Sequence, residues 1–104
     1  MTGKIFYKQL KEEVFPDIEG PTLRWWLGLL DLGTQEKDGK GNKKEFSEQD
    51  IRSLIIFKHL RMAGVSTDMA VAMAKGSNRS FEFGPLTLLI DEEKVKEIMN
   101  EVGR

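Results

Sequence analysis

A mainly α-helical fold with a small β component is predicted for the 104 residues, on three observations. Apolar residues recur at helical spacing in five separate stretches. A charged interval from Gly33 to Lys44 breaks the series with turn chemistry and no apolar signal. Near the C-terminus, Phe81 and Phe83, then Leu86 and Leu88, alternate with polar residues on either side of Gly84-Pro85, the period-two pattern of two short strands.

The first helix is expected from about Lys4 to Phe15, with Ile5, Phe6, Leu10 and Val14 near helical spacing. Pro16 stops it, because a residue before proline is pushed out of the helical region. Residues 16–20 then form a turn, and Pro21 suits the first turn of a second helix. Leu23, Trp26, Leu27 and Leu30 make that helix's buried stripe, so Thr22, Arg24 and Trp25 point elsewhere. The following interval, with Asp38-Gly39 and Lys40-Gly41-Asn42, reads as a β-hairpin or a flexible loop bearing Lys37, Lys40, Lys43 and Lys44.

Ser47 caps the third helix, with an acidic first turn and Asp50 at the third position. Ile51, Leu54, Ile55, Phe57 and Leu60 make it the most apolar helix and the centre of the core, ending near Gly64. A short helix rich in Ala and Met follows from Val65-Ser66 to Gly76, its methionines read as core packing. After the two short strands, Asp91 caps a last helix whose stripe is Val95, Ile98, Met99 and Val102. That stripe either closes the domain's own core or seals a dimer. The chain divides into residues 1–79 and a C-terminal hairpin and helix, residues 80–104, that packs on the domain or mediates dimerisation.

Composition narrows the function. Cysteine is absent, which removes thiol catalysis, disulfides and cysteine–metal sensing. No apolar run approaches the roughly 20 residues of a membrane span, and no signal-peptide pattern opens the chain, so the expected compartment is the cytoplasm. Net charge is −1, but residues 1–79 hold 13 Lys/Arg against 11 Asp/Glu while residues 80–104 hold 3 against 6. The body can therefore present a local basic face, which is what phosphate binding requires. His59 is the only histidine and has no placed partner, and no phosphate-cradling fingerprint surrounds Gly39 and Gly41. The expectation is a binding protein, not an enzyme, with no cofactor, metal or small-molecule effector.

A helix carrying Arg24 and an exposed Trp25, then a lysine-rich loop, then a long apolar helix, is the layout of a winged helix-turn-helix, with a recognition helix followed by a wing. Arginine can fork onto a phosphate or a guanine edge, and an indole N–H can reach a phosphate. The stretch resembles the DNA-binding domain of MerR-type regulators over roughly residues 5–76. Thr22-Leu23-Arg24-Trp25-Trp26 is similar to the family's T-L-R-Y-Y, with tryptophans where the tyrosines stand. Asn42-Lys43-Lys44-Glu45-Phe46-Ser47 is similar to G-Y-R-x-Y-S, and Leu60-Arg61-Met62-Ala63-Gly64-Val65-Ser66 to L-R-x-x-G-F-S. Gly28-Leu29-Leu30 departs from the pattern, falling two residues earlier than the family's G-L-L. Too little chain follows Gly76 for the long dimerisation helix and effector domain of the activators, so the resemblance is to pared-down forms such as excisionases and small phage regulators.

The resemblance implies double-stranded DNA as partner. One module offers a small interface for specific binding, so a homodimer or a cooperative array on repeated sites is expected. The resemblance also implies contacts from Thr22, Arg24 and Trp25 on the recognition helix, from Lys43 and Lys44 in the wing, and from Arg61 near the second turn; Lys40, on the same lysine-rich loop, is a candidate contact by its charge and place alone. The alternative is a winged-helix module for protein interaction or assembly without DNA binding.

Overall fold

The computed structural model describes residues 5–35, 44–76 and 79–102. Among them the chain is mainly helical with two small antiparallel β units. It opens with a two-residue strand, β1 (Ile5–Phe6), and a single helical turn, α1 (Tyr7–Gln9), which widens into a π-helical turn over Leu10–Val14. The first helix therefore starts later than its periodicity predicts. Ile5 is buried and Phe6 exposed, the alternation of a strand, and both residues pair with β3 (Lys44–Phe46) in the register Ile5↔Phe46 and Phe6↔Glu45. A tertiary ladder overrides the local helical pattern here. The π turn is closed by Phe15 N–H donating to the Leu10 carbonyl at 3.0 Å, and it buries Leu10, Val14 and Phe15 together just before Pro16.

Helix α2 (Gly20–Leu30) carries Pro21 in its first turn and buries Leu23, Leu27 and Leu30. Its end is a Schellman turn. Leu32 N–H donates to the Leu27 carbonyl at 3.1 Å and Asp31 N–H to that of Gly28 at 3.2 Å. Asp31 holds the left-handed position of that turn at φ 52° and ψ 51°. Strand β2 (Thr34–Gln35) follows and pairs antiparallel with β3, giving a three-stranded sheet in the order β1-β3-β2. Of the two forms expected for the lysine-rich interval, the paired strands favour the hairpin. Residues 36–43, between them, lie outside the described residues.

Helix α3 (Glu48–Met62) begins with the predicted capping box. The Asp50 N–H donates to Ser47 Oγ at 3.2 Å, and the Ser47 N–H donates to Asp50 Oδ2 at 3.0 Å. It ends at Gly64, φ +93°, in a second Schellman turn with Val65 N–H on the Leu60 carbonyl at 3.0 Å. Ile51, Leu54, Ile55, Ile56, Phe57 and Leu60 are all buried, so the middle of the helix is enclosed on most sides and forms the centre of the core. Phe46, Leu10, Phe15 and the α2 leucines pack in the same cluster.

Helix α4 (Thr67–Lys75), capped by Ser66, adds Ala70, Met73 and Ala74. The methionine stripe divides: Met73 is buried, whereas Met69 is 42% exposed and faces away from the core. A second hairpin, β4 (Ser80–Phe83) and β5 (Leu86–Leu89), turns at Gly84-Pro85, where Gly84 has φ +59°. Leu88 and Ile90 lean on the core, but Leu86 lies beyond it and is exposed, although its alternation put it on the same face. The last helix, α5 (Glu92–Val102), is capped by Asp91 through the Glu93 and Lys94 amides. It packs on α3, its Val95 enters the main hydrophobic cluster, and Ile98 and Met99 pack against that cluster, so these three stripe residues close the domain's own core. Among the described residues no helix is long and apolar enough to cross a membrane.

Candidate nucleic-acid interface

Burying Leu23, Leu27 and Leu30 turns the opposite side of α2 outward, and Pro21, Arg24, Trp25, Gly28 and Asp31 are exposed there. The adjacent tryptophans separate as their 100° offset requires. Trp26 is half-buried, edge-on to Phe57 with ring centroids 5.2 Å apart. Trp25 is 56% exposed, with its ring and indole N–H open to solvent or a partner. Thr22, one turn before Trp26, is half-buried.

Arg24 does not float free. Its guanidinium carbon lies 5.0 Å from the centroid of the Tyr7 ring, within cation–π range. Tyr7 is itself fixed, because its hydroxyl donates to the Gly20 carbonyl at 3.3 Å across the start of α2. The tyrosine thus joins α1 to α2 and supports the arginine, a positioning role that no spacing in the sequence signals.

The other predicted residues are dispersed. Lys44 is in β3, where its backbone pairs with Gln35. Lys40 and Lys43 lie outside the described residues. Arg61 is exposed in the last turn of α3, where its Nη1 donates to the Val65 carbonyl at 2.6 Å and braces the turn into α4. The remaining guanidinium donors stay available. At 1.5 Å per residue, α3 holds Arg61 on the order of 20 Å from the end of β3. The chain therefore groups Thr22, Arg24 and Trp25 on one helix, with Arg61 at a separate station.

Two further cations are already engaged. Lys58 pairs with Asp17 at 3.0 Å and Arg52 with Glu92 through both carboxylate oxygens, which holds Asp17 and Glu92 below the ordinary carboxylate range. His59 Nδ1 is 2.8 Å from the Ile55 carbonyl oxygen, an intrahelical bond. Among the described residues no group of His, Asp and Glu could hold a metal ion. An apolar groove of about 350 Å³ lies between α3, β5 and α5, lined by Ile56, Leu60, Leu88 and Ile98, with Leu89 exposed at its edge. Comparison of the chain with protein-family models, with curated proteins and with solved structures gives no match.

Proposed function

We propose that the chain is a small duplex-DNA-binding protein of winged helix-turn-helix layout, a transcriptional regulator or nucleoprotein-assembly factor of the cytoplasm. In this reading α2 enters the major groove and the lysine-rich hairpin between β2 and β3 follows the phosphate backbone. The observation that carries it is the outward face of α2, where a supported arginine stands beside an exposed tryptophan. An antiparallel β2–β3 pair follows that helix directly, which supports reading the hairpin as a wing. The similarity of Thr22–Trp26 and Asn42–Ser47 to MerR-type domains points the same way. One module offers a small interface, so a homodimer or a cooperative array on repeated sites is part of the proposal.

The test is fluorescence anisotropy with a mixed-sequence duplex, titrated from low to physiological salt. Log affinity falls linearly with log salt as counterions are released, and Lys43→Ala/Lys44→Ala flattens the slope by about two units. Arg24→Ala weakens binding by about 1–2 kcal/mol. Absence of binding at low salt, or binding indifferent to these residues, would sink the reading.

A second reading is favoured by the apolar groove and by Leu89, which is 73% exposed at its edge. Here the helices are a scaffold, and this surface assembles the chain with a second copy of itself without DNA. Sedimentation of the wild type against Leu89→Lys separates the two: a dimer lost in the variant, with no duplex binding in either, favours assembly alone.

A further inference from the structure

Gly28 sits in the third turn of α2 with ordinary right-handed helical backbone. It faces outward, and a Cβ added there would meet nothing within 4 Å. Neither its conformation nor packing within the fold calls for glycine, the poorest helix former after proline. Three residues on, the error runs the other way. Asp31 occupies the left-handed position of the Schellman turn, where glycine is the usual residue. Its carboxylate stands at the negative end of the helix dipole. Among the described residues its exposed side chain makes no hydrogen bond or ion pair. Two residues that each weaken α2 thus lie on the face that carries Trp25, at i+3 and i+6 from it. Local rules broken without return inside the fold mark surfaces kept for a partner.

We propose that the Trp25–Gly28–Asp31 face of α2 is a base-reading surface: Gly28 admits base edges against the helix backbone, and the Asp31 carboxylate accepts a hydrogen bond from the amino group of a cytosine. This rests on the DNA reading above and names what that site recognises. A helical side chain lies back over the turn N-terminal to it, so a methyl or larger group at position 28 would stand between the groove floor and the turn bearing Arg24 and Trp25. A carboxylate among phosphates is repelled, and it is favourable only where base donors face it. In the major groove, cytosine presents its N4 amino group as a donor, whereas the adenine amino group has the N7 acceptor beside it, which repels an anion.

The experiment enriches duplexes from a randomised pool with the wild type, Gly28→Ala and Asp31→Asn, alongside thermal melts of each protein. The wild type is expected to enrich sites with a fixed C·G pair. Gly28→Ala melts several degrees higher yet binds the enriched duplex about tenfold or more weakly, an opposition that a merely structural glycine cannot give. Asp31→Asn, which tolerates the left-handed conformation, moves the preference at that pair from C·G to A·T, because an amide matches adenine N6 and N7. If Gly28→Ala binds like wild type while Arg24→Ala is impaired, the role of Gly28 falls and the DNA reading stands. An unchanged enriched sequence for Asp31→Asn removes the base contact. A wild type that binds no duplex at any salt overturns both.

Discussion

Arg52 and Glu92 are forty residues apart in sequence, yet they form the firmest polar contact between the C-terminal segment and the body. Their side chains are only 15% and 19% exposed, so the pair is shielded in a way the Lys58–Asp17 pair, with Asp17 60% exposed, is not. The Arg52 guanidinium holds the Glu92 carboxyl below its ordinary value of 4.5 against the opposing effect of burial. A depressed folded-state pKa means that the unfolded chain binds the proton first on acidification. The stability from Glu92 is therefore complete above the ordinary carboxylate pKa and is lost as pH falls through the folded value. Glu92→Gln should cost about 1–2 kcal/mol at neutral pH, and urea melts at pH 7 and pH 3 should show the deficit shrinking in acid. Asp17→Asn, by contrast, should change stability by less than about 0.5 kcal/mol. None of this was legible in the sequence, because long-range ion pairs leave no periodic trace. The Arg24–Tyr7 contact was hidden for the same reason, whereas the division of labour between Trp25 and Trp26 followed from helical geometry alone.

At the scale of the element, boundaries written in local chemistry were legible and those set by tertiary pairing were not. Ser47 and Asp50 announced the start of α3, and Gly64 its end, because caps act within a few residues. Ile5 and Phe6 were read as helix because a two-residue strand is too short to show alternation, and only pairing with β3 draws them out. The turn chemistry of residues 36–43 made a hairpin between β2 and β3 legible, whereas the lysines of that interval lie outside the described residues. Two substitutions separate the energetic origins of the α3 ends. Ser47→Ala removes a side-chain acceptor and should cost about 1 kcal/mol in chemical denaturation. Gly64→Ala meets nothing within 4 Å, so its loss of about 1 kcal/mol is conformational, set by φ +93°. If Gly64→Ala were neutral, the left-handed turn would not be what ends the helix.

At the scale of the whole molecule, burial is deeper in α3 than in the C-terminal hairpin and helix, although one hydrophobic cluster joins them. Among the side chains described beyond residue 79, Val95 alone is buried. Strands β4 and β5 pair only with each other among the described residues, and an isolated two-stranded hairpin is marginal in water. Leu86 and Leu89 stay exposed, while α3 carries seven buried residues at the centre of the cluster. Phe81, Phe83, Leu88, Ile90, Ile98 and Met99 pack against the core but stay partly exposed, so the hairpin and α5 should open at a lower free energy than α3. Hydrogen exchange of the intact protein should show amides of residues 80–102 exchanging before those of α3. Val95→Ala, at a cost of about 2 kcal/mol, should accelerate exchange in that segment alone. If the substitution accelerates α3 equally, the segment and the body unfold as one cooperative unit. The C-terminal helix would then be as integral to the core as α3, and any partner would meet it as a fixed surface.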